Sequence, residues 1–300
     1  MTLRTLLNAA LRDGRVTSAE AKKAVDYAKR GGVQPSEYKL LHKTLLRNVD
    51  KFDAPAQQRF LFAGDVTHSF DGDPSNMKFH PGRLFEKGIS MHDVNQGGQN
   101  DCTILAALAG LAARSPQSIK NMIRANPDGT VSVRFYSKTA QGVPHANWVT
   151  VDRDTGGTAY AHSKRPTEQW SALVEKAWAK FNGGFGANIL SDGPKTIFAL
   201  TGRQTHDGYL DKSATITKLR SDVHAGRVVT AFKKDGETGL PGGHDYTVLG
   251  IYKKNGVEYV SVRNPWGHTE PSGNGPDDGV FTLTMAQFRA HFTNVTNYDN

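Results

Sequence analysis

Apolar residues recur at helical spacing at the start of the chain and at alternate positions towards its end. The first stretch opens with Thr17-Ser18-Ala19-Glu20, a capping box in which hydroxyl and carboxylate satisfy orphan N–H groups reciprocally. Ala21, Ala24, Val25 and Ala28 follow on one face, and Gly31-Gly32 stops the helix. Pro35-Ser36-Glu37 predicts a second helix with Leu41, Leu45 and Val49 on one side. Residues 61–90 show no clear period and read as connecting structure. From Thr103 to Ala113 the chain is apolar nearly all round, which predicts a buried helix ending before Ser115-Pro116. Val131, Val133 and Phe135 alternate with polar partners, a strand signal, and Trp148 to Val151 supplies a hairpin partner after the turn at Asn126-Pro127-Asp128-Gly129. Trp170 to Phe181 is amphipathic with period 3.6 and stops at Gly183-Gly184.

After about residue 200 the pattern turns to strands: 228–232, 246–252, 257–262 and 280–283, with a closing helix over 285–292. Asn255-Gly256 is a two-residue hairpin signal. Centred there, an antiparallel hairpin pairs residues whose numbers sum to about 511. Helices first and antiparallel strands second indicate an α+β fold with two lobes. The expected division is a helical module over 1–60, a helical lobe over 61–200 and a β-rich lobe over 201–300.

Composition narrows the setting. No apolar run approaches the roughly 20 residues of a membrane-spanning helix, and the N-terminus carries no signal-peptide pattern. The single cysteine excludes an intrachain disulfide and a multi-cysteine zinc site, which fits a reducing cytosol, the cell's own or a host's. Net charge is +8, and residues 1–60 hold 12 Lys and Arg against 6 Asp and Glu. The basic character is therefore mostly N-terminal. Without aromatic residues interleaved among the basic ones, it does not indicate nucleic-acid binding. Asp13-Gly14-Arg15-Val16 with Glu20 echoes the second half of an EF-hand loop. Ala9 and Leu11 stand at the first and third ligand positions, so a hairpin without metal is expected.

The lone cysteine, Cys102, falls where the glycine-rich loop Gln96-Gly97-Gly98-Gln99-Asn100-Asp101 runs into the buried helix. With Asp101 as N-cap, Cys102 takes the first helical position, where a helix dipole and a nearby histidinium depress a thiol pKa. Further on, Gly243-His244-Asp245-Tyr246 and Arg263-Asn264-Pro265-Trp266-Gly267 flank the Asn255-Gly256 turn. The hairpin register puts His244 near 267 and Asn264 near 247, at one open end. Asn264 is then expected to accept the Nδ1–H of His244, leaving Nε2 for the thiol, with Trp266 roofing the bond.

These segments resemble the calpain family of papain-like cysteine endopeptidases. The likeness spans about residues 84–292 and rests on four motifs in family order: Gln96-Gly97-x-x-x-Asp101-Cys102, Trp170 to Gly183, Gly243-His244-x-Tyr246-Thr247-Val248, and Arg263 to Gly267. It implies a papain-like two-lobed core preceded by the helical module. Cys102 would be the nucleophile, His244 the base and acid, Asn264 the orienter and Gln96 an oxyanion donor. The substrate would be protein or peptide, cleaved through a thioester. Amidase or acyltransferase chemistry on non-peptide or side-chain amides is an alternative on the same triad; an inactive binding module is a third reading. Three positions depart from the pattern: Thr103 replaces tryptophan, Asn100 replaces glycine, and Asp245 follows the histidine, where it is expected to face solvent.

The chemistry itself needs no cofactor. By the same resemblance calcium is a candidate regulator, with Asp93 and Glu175 in the first lobe and Glu270 and Asp278 in the second. Val280 stands in place of a ligand glutamate there, and Met91 in place of its arginine partner. Residues 1–60 are expected to act as a propeptide, docking arm or targeting element, with cleft blocking preferred.

Overall fold

The structure is a computed structural model, which describes residues 2–29, 40, 41, 44, 48, 51, 83–86, 88–155, 160–164, 168–183, 192–234, 239–270 and 276–298. Most of the helix expected from Pro35, the connecting stretch over 61–82 and Gly184 lie outside the described residues. By its contacts the chain divides into two compact units. One takes residues 1–82, 125–131 and 150–157; the other takes 83–124, 132–149 and 158–300.

The first unit contains helices α1 (Leu3–Ala10) and α2 (Ser18–Lys29). Their apolar stripes meet in a core of Leu3, Leu7, Ala10, Val16, Ala21, Ala24, Val25, Ala28 and Leu41. The expected capping box forms: Glu20 Oε2 accepts from the Thr17 N–H at 2.9 Å, and the Glu20 N–H donates to Thr17 Oγ1 at 3.4 Å. Glu20 is thereby committed to helix capping.

In the second unit, Cys102–Arg114 forms α3 and Pro116–Met122 forms α4, which the sequence reading left out. Pro116 supplies the preset φ of a first helical turn, so it starts a helix as well as ending one. Strands β1 (Ile123–Ala125), β2 (Val131–Lys138) and β3 (Pro144–Val151), whose residues 125, 131, 150 and 151 belong to the first unit, make a three-stranded sheet in that order. Helix α5 (Trp170–Phe181) is buried from Trp170 to Ala179. Its Trp178 meets Phe135 of β2 edge-on at 5.4 Å, and Phe181 stacks on Phe135 at 5.2 Å.

There follow α6 (Gly193–Thr201), β4 (Thr205–Tyr209), α7 (Ser213–His224), β5 (Thr230–Lys233), β6 (His244–Lys254), β7 (Val257–Arg263), β8 (Val280–Thr284), α8 (Met285–His291) and β9 (Asn294–Tyr298). The six strands form one antiparallel sheet in the order β4-β9-β5-β6-β7-β8. The hairpin register is the expected one from Lys254↔Val257 to Gly250↔Ser261. A bulge at Leu249 then slips it by one, so Thr247 faces Arg263.

Helix α3 lies directly against this sheet. Gly110 lets it approach, since a methyl there would stand 2.9 Å from Val228 Cγ1 and 3.2 Å from Thr247 Cγ2. Thr247 Oγ1 donates to the Ala106 carbonyl at 2.6 Å, and Arg114 donates to the Leu249 carbonyl at the bulge. A fully apolar helix face against a sheet face is the expected burial solution. Its consequence is that the first turn of α3 and the first residues of β6 share one end of the packing.

Candidate active site

Cys102 is the first residue of α3 and is 5% exposed. His244, also 5% exposed, opens β6, and Asn264 follows β7 directly with no exposed surface. His244 Nε2 and Asn264 Oδ1 lie 2.9 Å apart. The Asn264 amide is oriented by its other partners: Oδ1 accepts the Trp266 N–H at 3.1 Å, and Nδ2 donates to the carbonyls of His268 at 3.0 Å and Thr269 at 3.4 Å. With the oxygen thus facing the ring, Nε2 must carry the proton, and Nδ1 holds the lone pair. This reverses the nitrogen assignment expected from the sequence. The pairing is as expected; which ring edge faces Asn264 depends on a rotamer that residue spacing does not encode. The Trp266 ring lies 4.9 Å from the imidazole at 48°, beside the bond it was expected to cover.

Burial shapes the protonation of the site. It pushes the Cys102 thiol up to about 11; the neighbouring Asp245 and Asp101 carboxylates push the same way, and the Asp245 N–H pulls against them. Burial also lowers His244, with Asn264 opposing. At neutral pH both groups are therefore uncharged, a resting thiol beside a neutral imidazole. The depressed thiol expected from the helix terminus is not found: burial raises it instead.

Asp101 is the N-cap by position, yet its side chain makes no capping bond. It turns inward at 1% exposure, towards Glu175 of α5, which is wholly buried. The two carboxyl groups are in hydrogen-bond contact with each other, and Glu175 Oε2 also accepts from the Ala161 N–H. Burial pushes Asp101 up to about 6 and raises Glu175 well above the carboxylate range. Two such groups in contact share a proton.

The Gln96 backbone N–H donates to the Pro265 carbonyl at 2.8 Å, which fixes the loop against the Asn264 turn. Its side-chain Nε2 donates to the Gln99 carbonyl at 2.7 Å. A primary amide has a second hydrogen, and the first N–H groups of α3 have no partner within the helix.

A model of the calpain family of cysteine proteases matches residues 72–279, more than half of the chain. The chain belongs to the calpain family. It is 28% identical over 253 residues to calpain-9 of Homo sapiens, with 69% of this chain and 36% of that protein covered. To the calpain-1 catalytic subunit of Sus scrofa it is 27% identical over 269 residues, covering 69% and 35%. To the calpain-type cysteine protease DEK1 of Zea mays it is 27% identical over 266 residues, covering 71% and 12%. The chain thus spans little more than a third of the two animal relatives and about an eighth of the plant one. It carries the family's protease domain on an α+β fold. Among the described residues no helix is long and apolar enough to cross a membrane.

Two of the family departures meet. Asp245, expected to face solvent, is 8% exposed and accepts from Thr103 Oγ1 at 2.6 Å. Sequence reasoning treated the two positions separately; their places next to Cys102 and His244 were the available signal.

The acidic residues are arranged differently from the expectation. Asp93 and Glu175 have different described partners. Asp93 accepts from the Ser90 N–H at 2.7 Å, Ser163 Oγ at 3.0 Å and Trp170 Nε1 at 3.4 Å. The carboxylate beside it is Glu168, which shares Ser163 Oγ at 3.1 Å and accepts the Glu86 N–H at 2.7 Å. Glu168 stands two residues before the amphipathic stretch, outside the helix motif that pointed to Glu175 instead. Glu270 and Asp278 do lie at one loop neck. There Glu270 Oε1 accepts from the Asp278 and Gly279 N–H groups, both at 2.6 Å, and Asp278 Oδ1 accepts from Val280 N–H at 3.0 Å. Among the described residues no group of three or more His, Cys, Asp or Glu side chains is placed to hold a metal.

Proposed function

We propose that this chain is a calpain-type endopeptidase that cuts peptide bonds with Cys102 as nucleophile, His244 as base and acid, and Asn264 as orienter. The observation that carries the reading is the His244 Nε2–Asn264 Oδ1 bond, with an amide whose oxygen is fixed by Trp266, His268 and Thr269. It leaves Nδ1 as an unprotonated base beside a thiol that is itself neutral at rest.

Reaction follows from that resting state. When a substrate carbonyl reaches Cys102, the thiol proton passes to His244 Nδ1 as the sulfur–carbon bond forms. The imidazolium is stabilised by Asn264, which keeps accepting at Nε2. The developing oxyanion receives the Cys102 backbone N–H and the second amide hydrogen of Gln96. His244 protonates the leaving amine. It then activates the water that hydrolyses the thioester, restoring the thiol.

Asp93 and Glu168 are a pair of buried oxygen donors on neighbouring segments, the donor chemistry that suits calcium. We read them, rather than Asp93 and Glu175, as the residues that would hold the ion in this lobe. Bound there, calcium would neutralise two adjacent carboxylates and tie the Ser90–Asp93 turn to the start of α5. Glu270 and Asp278 are read as a loop clamp.

Casein cleavage by the parent and by Cys102→Ala, each with calcium and with chelator, tests this. The parent should cut and Cys102→Ala should not. Equal cleavage by both would remove Cys102 from the mechanism, and indifference to chelator would remove calcium.

A further inference from the structure

Thr103 follows the proposed nucleophile and Asp245 follows the proposed base. Their side chains form one buried hydrogen bond of 2.6 Å between α3 and β6. Within one residue on either side lie both reacting groups. A bond at that place constrains the Cys102–His244 separation more directly than any other side-chain contact described between these elements. The next one, from Thr247 to the Ala106 carbonyl, lies one helical turn further along α3.

We propose that the Thr103–Asp245 bond is a positioning tie that holds nucleophile and base at working distance, and that it places a negative charge beside the thiol. The inference rests on the Cys102–His244 reading above. The Asp245 carboxylate acts on the thiol through its charge and its neighbours, while the Thr103 hydroxyl, besides bonding Asp245, also lies in hydrogen-bond contact with the Cys102 thiol.

The surroundings make the tie pH-sensitive. Asp245 is faced by Thr103 and Cys102 from α3 and by Asp207 of β4, with His244 and Tyr246 beside it on β6 and Lys233 opposite His244 on β5. Burial raises its carboxyl to about 6, with Asp207 adding to the rise and Thr103 opposing it. Above that pH the carboxylate accepts strongly from Thr103 and also opposes thiolate formation at Cys102. Below it the protonated acid still accepts from Thr103, more weakly, and no longer carries the charge that opposes the thiolate. The tie is thus tightest in the pH range where the thiol is most firmly held neutral.

Because Cys102 is the sole cysteine, its alkylation by iodoacetamide reports one site without ambiguity. Thr103→Val removes the donor at constant shape; Thr103→Ser restores it. Asp245→Asn keeps an acceptor for Thr103 and removes the charge. Expected for Thr103→Val is a fall in kcat of about tenfold or more with KM little changed, as for a misplaced reacting pair. Thr103→Ser should recover most of it. Asp245→Asn should shift the pH midpoint of Cys102 alkylation downward, since the opposing charge is gone. A parent-like kcat in Thr103→Val, an equal fall in Thr103→Ser, or an unshifted alkylation profile in Asp245→Asn would overturn the proposal. If Thr103→Val does not fold, the other two variants decide the matter by the same outcomes. Failure of the catalytic reading is distinguishable: Cys102→Ala would then still cut.

Discussion

Gly267→Ala tests how the site's scaffold is held. Gly267 has φ +72°, the left-handed region that costs an alanine about 1–2 kcal/mol. A methyl there would stand 1.8 Å from Asn95 Oδ1 and 2.7 Å from its Cγ, so the Asn95 amide must move. That amide is fully used: Nδ2 donates to the carbonyls of His92 and His162, both at 2.9 Å, and Oδ1 accepts from Arg263 Nη2 at 3.0 Å. Arg263 is wholly buried, and its Nε and Nη1 already lack partners. Burial has lowered it to about 10, with Asp278 and Asp93 opposing. Removing its acceptor strands a buried cation, which costs about 1–3 kcal/mol or more, and the steric clash adds about 1–3 kcal/mol. The expected loss is therefore roughly 3–8 kcal/mol, a large share of the usual 5–15 kcal/mol. Urea unfolding followed by tryptophan fluorescence measures it. Asn95→Ala in the same chain removes the clash, so the double variant should lose clearly less than the two single losses combined. A loss under about 1 kcal/mol for Gly267→Ala, or simple additivity, would refute the reasoning.

Two further outcomes follow from the site. Asn264→Ala removes the acceptor at Nε2 and should lower kcat roughly 10²-fold with a smaller change in KM; an unchanged kcat would refute its role as orienter. Asp101→Asn concerns the shared proton. The raised pKa of Asp101 means the folded state favours its neutral form. That stability is present below the unfolded value near 4 and is lost as pH rises through about 6. Some 2 units correspond to about 3 kcal/mol. Asparagine stays neutral and can donate to Glu175, so urea unfolding should show the parent losing more stability between pH 4 and 6 than Asp101→Asn, which keeps only the loss set by the buried Glu175. Parallel curves would refute the pair.

Local pattern was enough for the elements whose period was clean. The helices at Cys102 and Trp170, the hairpin at Asn255-Gly256 and its register down to Gly250 were legible because each is decided by neighbours in sequence. Helix α7 was missed: Thr215, Thr217 and Ser221 dilute a stripe of Ile216, Leu219 and Val223 that is clear only once its burial is seen. β4 and β9 were missed for another reason. They pair with one another across nearly ninety residues, and β4 is mostly exposed, so neither carries a strong alternation.

At the site, residue type and order can be read locally, and protonation state cannot. Cys102, His244 and Asn264 stand out by type and order, but a protonation state is set by what surrounds a group from distant parts of the chain. The thiol is neutral because α3 is buried along its whole apolar length, and Asp101 abandons its cap because Glu175 arrives from α5. Asp245 is held inside because a threonine, rather than a larger ring, follows the cysteine and offers it a donor. The packing that lays α3 on β6 through Gly110 creates the first and the third of these conditions, and the packing of α5 on the start of α3 creates the second. On the proposed mechanism, the cost is a nucleophile that must be deprotonated during the reaction rather than before it. A resting thiol beside a resting imidazole makes activity depend on their separation, so small displacements of α3 against β6 act directly on the rate. A bond that ties residue 103 to residue 245 is, on this argument, placed where the chemistry is most sensitive to geometry.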